Sequence, residues 1–125
     1  MKQLILVVDD NLANLKLACD VLACEGYRVL RAENADQALG VLAESRPDLI
    51  LMDISMPGMD GLTLTRKLKT VETTKGIIIV ALTASAMKGD EARATEAGCD
   101  GYITKPVDTR RFPDQVASFL KTPHG

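Results

Sequence analysis

Apolar and polar positions along the chain fall into two alternating kinds of segment. Short runs that are apolar almost throughout, Leu4 to Val8, Asp48 to Asp53 and Ile77 to Leu82, read as strands buried on both faces, as in parallel sheets. Ile77 to Leu82 is the most β-branched of them and is expected at the centre of the sheet. Tyr27 to Ala32 is more polar. It places Tyr27, Val29 and Arg31 on one face and Arg28, Leu30 and Ala32 on the other, which suits an edge strand. Gly101 to Thr104 is the last strand before Lys105 and Pro106.

Between the strands the apolar residues recur every three or four positions. Asn11 to Glu25 is a helix that Gly26 stops, with Leu17, Ala18 and Val21 toward the core. Its second stripe, Leu12, Leu15, Cys19 and Leu22, is expected to face outward. Asn34 caps a helix from Ala35 to about Ser45, with Ala38, Leu39 and Leu42 inward, and Pro47 prevents its continuation. Asp60 caps or begins a helix carrying Leu62, Leu64, Leu68 and Val71. Met87 to Ala97 is a short polar helix stopped by Gly98, and Asp108 or Thr109 starts a final helix reaching about Lys121. Pro113 removes a backbone donor from the first turns of that helix and predicts a late start or a distorted turn. Five strand-helix units with buried strands imply an α/β fold: a doubly wound parallel sheet, covered on both faces by helices through right-handed crossovers.

Composition narrows the function classes. The 125 residues, 46% hydrophobic, suffice for one domain with its own core. A net charge of -2 offers no electrostatic footprint for nucleic acid. Three cysteines, Cys19, Cys24 and Cys99, cannot all pair and form no C-x-x-C, so buried free thiols of a reducing cytoplasm are expected. The one histidine, His124, lies in the tail, which removes Ser-His and Cys-His catalysis and most zinc sites. The opening apolar run is too short for a signal peptide or membrane span, so a soluble cytoplasmic protein is expected.

Candidate chemistry gathers at strand ends. In open α/β sheets ligands bind beyond the carboxyl ends of the strands. Asp9 and Asp10 follow the first strand, Asp53 the third, Thr83 the fourth and Lys105 the fifth. Taken singly, each has an ordinary reading: a solvated turn or cap for Asp9 and Asp10, a surface lysine for Lys105, β-propensity for Thr83, half-buried packing for Tyr102. Taken together, three crowded carboxylates repel one another, and a hard divalent cation with oxygen ligands relieves that repulsion.

In order and spacing these motifs resemble the receiver domains of two-component response regulators. The residues that carry the likeness are Val7-Val8-Asp9-Asp10-Asn11, Leu51-Met52-Asp53-Ile54-Ser55-Met56-Pro57-Gly58-Met59-Asp60-Gly61, Leu82-Thr83-Ala84 and Tyr102-Ile103-Thr104-Lys105-Pro106. The resemblance runs from about Lys2 to Leu120 and is nearest to single-domain regulators and hybrid-kinase receivers. It implies a flavodoxin-like sheet of strand order 2-1-3-4-5. Many relatives carry an output domain as well; with only Thr122-Pro123-His124-Gly125 after Lys121, a receiver domain over residues 1–121, a short tail, 122–125, and no output domain are expected. By the same resemblance Asp53 is the phosphoacceptor. Asp9, Asp10, Asp53 and the Ser55 carbonyl hold Mg2+, with Asp9 acting mostly through water. Thr83, Ala84 and Lys105 meet the phosphoryl group, Tyr102 is an aromatic switch, and Lys105-Pro106 is a candidate cis peptide.

The expected partners are a histidine kinase or histidine phosphotransferase as donor and a downstream protein that reads the switch. Leu12 and Leu15 would dock the donor, with Pro106 and Val107 as the opposite lip. Such a protein is a phosphoacceptor rather than an enzyme, with only intrinsic autophosphorylation and autodephosphorylation. A haloacid-dehalogenase-like phosphatase also combines an aspartyl nucleophile, Thr, Lys and magnesium. It requires a second Asp two residues after the first, where this chain has Ser55. A flavodoxin-like cofactor binder would need a Ser/Thr/Gly phosphate cradle in place of Asp9 and Asp10.

Overall fold

The computed structural model describes residues 3–54, 61–83, 88–105 and 107–121. Five parallel strands, β1 (Leu4–Val8), β2 (Arg28–Ala32), β3 (Leu49–Asp53), β4 (Ile78–Thr83) and β5 (Gly101–Thr104), stand in the order 2-1-3-4-5. Helices α1 (Leu12–Cys24), α2 (Ala35–Glu44), α3 (Gly61–Thr70), α4 (Lys88–Ala97) and α5 (Phe112–Lys121) alternate with them. Every residue of β3 and β4 is buried, as their continuous apolar sequence requires, while β2 at the edge is only partly covered. No helix among the described residues is long and apolar enough to cross a membrane.

Strand alternation divides the core. Ile5, Val7, Leu49, Leu51, Val80, Leu82 and Ile103 pack with Leu15, Ala18, Cys19 and Leu22 of α1 and with Phe112 and Val116 of α5. Leu6, Val8, Ile50, Met52 and Ile79 pack on the other side with Ala35 and Ala38 of α2 and Leu64 and Leu68 of α3. A smaller cluster of Ile54, Leu62, Ala81, Ala94 and Ala97 seats α4 through two alanines. The local signals behave as their chemistry dictates. Asn11 and Asn34 cap α1 and α2 by accepting from the Asn14 and Gln37 N–H groups at 3.0 and 2.8 Å. Gly26 and Gly98 take positive φ, 93° and 105°, where a side chain is disfavoured, and close α1 and α4. At the amino end of the sheet, Lys69 Nζ reaches the Ile77 carbonyl and Asp100, whose carboxylate also accepts the Ile79 N–H, so the starts of β4 and β5 are tied to the end of α3.

One helix face, two helix boundaries and the burial of one cysteine differ from expectation, the late start of the last helix being the one that Pro113 predicts. In α1 the buried stripe is Leu15, Ala18, Cys19 and Leu22, while Leu17 is 39% exposed and Val21 only partly covered. Spacings of three, one and three lay that stripe along the sheet; Leu12, one turn earlier, is 61% exposed. Leu15, at 2% exposure, therefore belongs to the core and cannot serve as a docking residue. Helix α3 ends at Thr70, leaving Val71 beyond it and exposed. The last helix begins at Phe112, after a turn in which the Arg111 and Phe112 N–H groups bond to the Asp108 carbonyl, as Pro113 in its first turn demands. The three cysteines are free, but Cys24 is exposed, and burial pushes the Cys19 and Cys99 thiols up.

Candidate phosphoacceptor site

Register brings the strand-end residues together. Val8 stands opposite Met52, so Asp9 is level with Asp53; Asp53 in turn stands opposite Leu82, and Leu82 opposite Ile103. Period-two alternation continues the Ile5-Val7, Leu49-Leu51 and Ile103 rows into Asp9, Asp53 and Lys105, all on the α1/α5 face. Thr83 and Tyr102 fall on the opposite face. Tyr102 stands beside Ala81, and Thr83 one pleat further out beside Thr104. The charged groups and the two switch candidates thus occupy opposite sides of the sheet end, a separation the strand phases carry.

The charges are closely arranged. Asp9 and Asp53 are 1% and 2% exposed, and Lys105 Nζ lies 3.2 Å from Asp9 Oδ2 and 3.4 Å from Asp53 Oδ2. Asp9 also accepts the Asn11 N–H through Oδ1 at 2.9 Å, which holds the chain as it turns into α1. Asp10 is exposed at the rim, and one oxygen from each of Asp9, Asp10 and Asp53 lies within 4.8 Å of the others. Desolvation raises the Asp10 carboxyl above its ordinary value. A hydrogen bond shared with Asp53 and repulsion from that carboxylate raise it further, against a backbone hydrogen bond and Lys105. One lysine among three acids leaves negative charge to be met, and all the donors are oxygen, so the set suits Mg2+.

Thr83 is buried at 2% exposure, its carbonyl accepting the Lys105 N–H at 2.6 Å, while Tyr102 is 41% exposed. An open cleft beside Tyr102 is bordered by Lys105, Asp108, Arg111 and Gln115. Val107 is partly buried against the α1/α5 core. Ser55, Ala84, Pro106 with its candidate cis bond, and the tail 122–125 lie outside the described residues. One contact escaped the sequence reading, in which Gly61 entered only as the last residue of the motif that carries Asp53. The first residue of α3 presses on the main chain of Asp53. A glycine opening a helix directly after a capping-type Asp60 is the signal that could have flagged it.

The chain belongs to the response regulator receiver domain family, whose model matches residues 5–117. This places it among the proteins of two-component phosphorelay signalling. It is 42% identical over 120 residues to the polar-differentiation response regulator DivK of Brucella anthropi, covering 96% of this chain and 98% of that one. Among solved structures it is similar to the receiver domain of sensor histidine kinase PA1611 from Pseudomonas aeruginosa PAO1, which has a magnesium ion coordinated in its active-site cleft. That match has TM-score 0.87, 32% identity and coverage of 98% and 100% of the two chains. A CheY-like receiver domain protein from Methanospirillum hungatei JF-1 matches with TM-score 0.86 and 31% identity over 96% and 94%.

Proposed function

We propose that the chain accepts a phosphoryl group on Asp53 from a phosphohistidine donor, with Mg2+ as cofactor, and signals through a conformational change read by a partner protein. The observation that carries this reading is the burial of Asp53 at the end of β3 with Lys105 Nζ at 3.4 Å and two further acids beside it. Phosphoacceptance is general to receiver domains, and the magnesium-bound relative supports the metal. Asp9, Asp10 and Asp53 would hold the ion with the Ser55 carbonyl; when bound, it neutralises charge on the phosphoryl oxygens.

The chain's own residues supply the rest. An Asp53 oxygen attacks phosphorus, the P–N bond breaks, and its electron pair leaves with the donor imidazole. Lys105 pairs with Asp53 in the resting site and, keeping its proton, would form an ion pair with the incoming phosphoryl oxygens. Thr83 offers a hydroxyl to the same group, and Ala84 follows it in the chain. As Thr83 moves toward the phosphoryl group, Tyr102 on the same sheet face turns inward, reshaping α4 and the cleft beside β5. The protein turns over no external substrate. Its chemistry is confined to gaining and losing one phosphoryl group, and its location is cytoplasmic.

Incubation with acetyl phosphate and Mg2+ tests the acceptor by intact-mass spectrometry. The wild type should gain one phosphoryl group and Asp53→Asn none. Labelling of Asp53→Asn at the wild-type rate would overturn the assignment.

A further inference from the structure

The main chain that carries Asp53 is wedged by Gly61. A Cβ built on Gly61 would overlap the Asp53 carbonyl oxygen and stand 2.9 Å from the Asp53 carbonyl carbon and the Ile54 Cα, all backbone atoms that cannot rotate away. Gly61 is itself buried and opens α3, and its carbonyl accepts the Thr65 hydroxyl at 2.7 Å, so the first turn of the helix is held from within. The next residue, Leu62, packs in one buried cluster with Ile54, the residue that follows Asp53. The start of α3 and the end of β3 are therefore a single packed joint. Gly101 is equally crowded, but its added Cβ would meet the ring of Phe119, a side chain, at the far end of β5.

Interiors packed at crystal density respond to one added methyl by moving the backbone or straining side chains. At Gly61 the backbone that an added methyl meets first, among the described residues, is that of the phosphoacceptor and of Ile54 after it. The Asp53 carboxylate oxygens must lie within 4.8 Å of those of Asp9 and Asp10 and near Lys105, while magnesium demands near-ideal octahedral geometry at about 2.1 Å. We infer that Gly61 is a positioning residue: its bare Cα lets α3 seat directly on the Asp53–Ile54 main chain and thereby sets the acceptor carboxylate against the metal ligands. This rests on the assignment of Asp53 as phosphoacceptor.

The test compares wild type, Gly61→Ala and Gly101→Ala for metal-free thermal midpoint, Mg2+ dissociation constant by titration of the midpoint, and rate of labelling by acetyl phosphate. Gly61→Ala should weaken Mg2+ binding and slow labelling at least tenfold. Gly101→Ala should lower the midpoint while leaving both within twofold of wild type. Binding and labelling by folded Gly61→Ala within twofold of wild type would overturn the inference, as would an equal loss in Gly101→Ala. If Gly61→Ala does not fold, Thr65→Val decides, since it loosens the same turn without adding volume beside Asp53. It should weaken Mg2+ binding about threefold with recovery in Thr65→Ser, and no change refutes the joint. A wild type that binds Mg2+ but is never labelled would refute the phosphoacceptor assignment, while the Mg2+ comparison still decides the role of Gly61.

Discussion

Removing one charge from the acid cluster should stabilise the metal-free protein and abolish its response to magnesium. Asp10→Asn is the perturbation. Two unit charges 4.8 Å apart, the largest separation among the nearest oxygens of the three acids, repel by about 1 kcal/mol at the dielectric of water and about 3.5 kcal/mol at an effective value of ~20. Lys105 offsets part of this, and the exposed side of Asp10 is screened by solvent, so a net cost on the order of 1 kcal/mol remains at neutral pH. The sign follows from linkage. Desolvation and Asp53 raise the Asp10 carboxyl above its ordinary 3.8, so between that value and its folded-state value the folded protein holds more protons than the unfolded chain, and stability falls as pH rises. Asp10→Asn should therefore melt roughly 4 °C above the wild type at pH 7 without metal, and this advantage should vanish below pH 3.8. Magnesium at ten times its dissociation constant should stabilise the wild type by about 1.4 kcal/mol and the variant by nothing measurable. Thermal unfolding in chelator and in magnesium across this pH range reads all three quantities. A variant less stable than the wild type without metal, a pH-independent difference, or a retained magnesium response would refute the reasoning.

Three further tests address the α1 face, the docking surface and the switch. Leu15→Ala should cost about 3 kcal/mol in urea unfolding and Leu12→Ala less than about 0.5 kcal/mol, because only Leu15 is buried; similar costs would contradict the α1 orientation. Leu12→Asp should slow phosphotransfer from a cognate histidine kinase at least tenfold while leaving acetyl phosphate labelling unchanged, and equal loss with both donors would remove Leu12 from the docking surface. Beryllofluoride, standing in for the phosphoryl group, should shift backbone amide signals along α4 and β5 as well as at the strand ends, since α4 is seated through Ala94 and Ala97. Shifts confined to the loops that touch the ligand would rule out the coupling to Tyr102.

Much of this architecture was legible because a parallel sheet writes itself plainly: β1, β3 and β4 are apolar on both faces, and Gly26, Pro47 and Gly98 punctuate the helices between them. Helix α1 misled for a physical reason. It carries apolar residues on two adjoining stripes, so periodicity alone cannot choose between them, and the side that meets Ile5, Val7, Leu49 and Leu51 is settled only when the sheet is built. Gly61 was hidden by its ordinariness, since a glycine after a Pro/Gly turn needs no second explanation until the Asp53 carbonyl is found against it.

The site residues were visible as strand-end positions, but their division between faces was not, although it follows from strand phase. Asp9, Asp53 and Lys105 continue the rows that face α1 and α5; Thr83 and Tyr102 continue the rows that face the other way. Asp53 therefore has charge partners on one side, while its own main chain touches Gly61 and leads into Ile54, which packs with Leu62 and α4 on the other. Chemistry and signalling meet at the backbone of a single residue. Substitutions among the charged residues should consequently alter metal binding and phosphoryl uptake first, and substitutions at Tyr102, which belongs neither to the metal ligands nor to the contacts of Gly61, should alter the response of α4 while uptake continues.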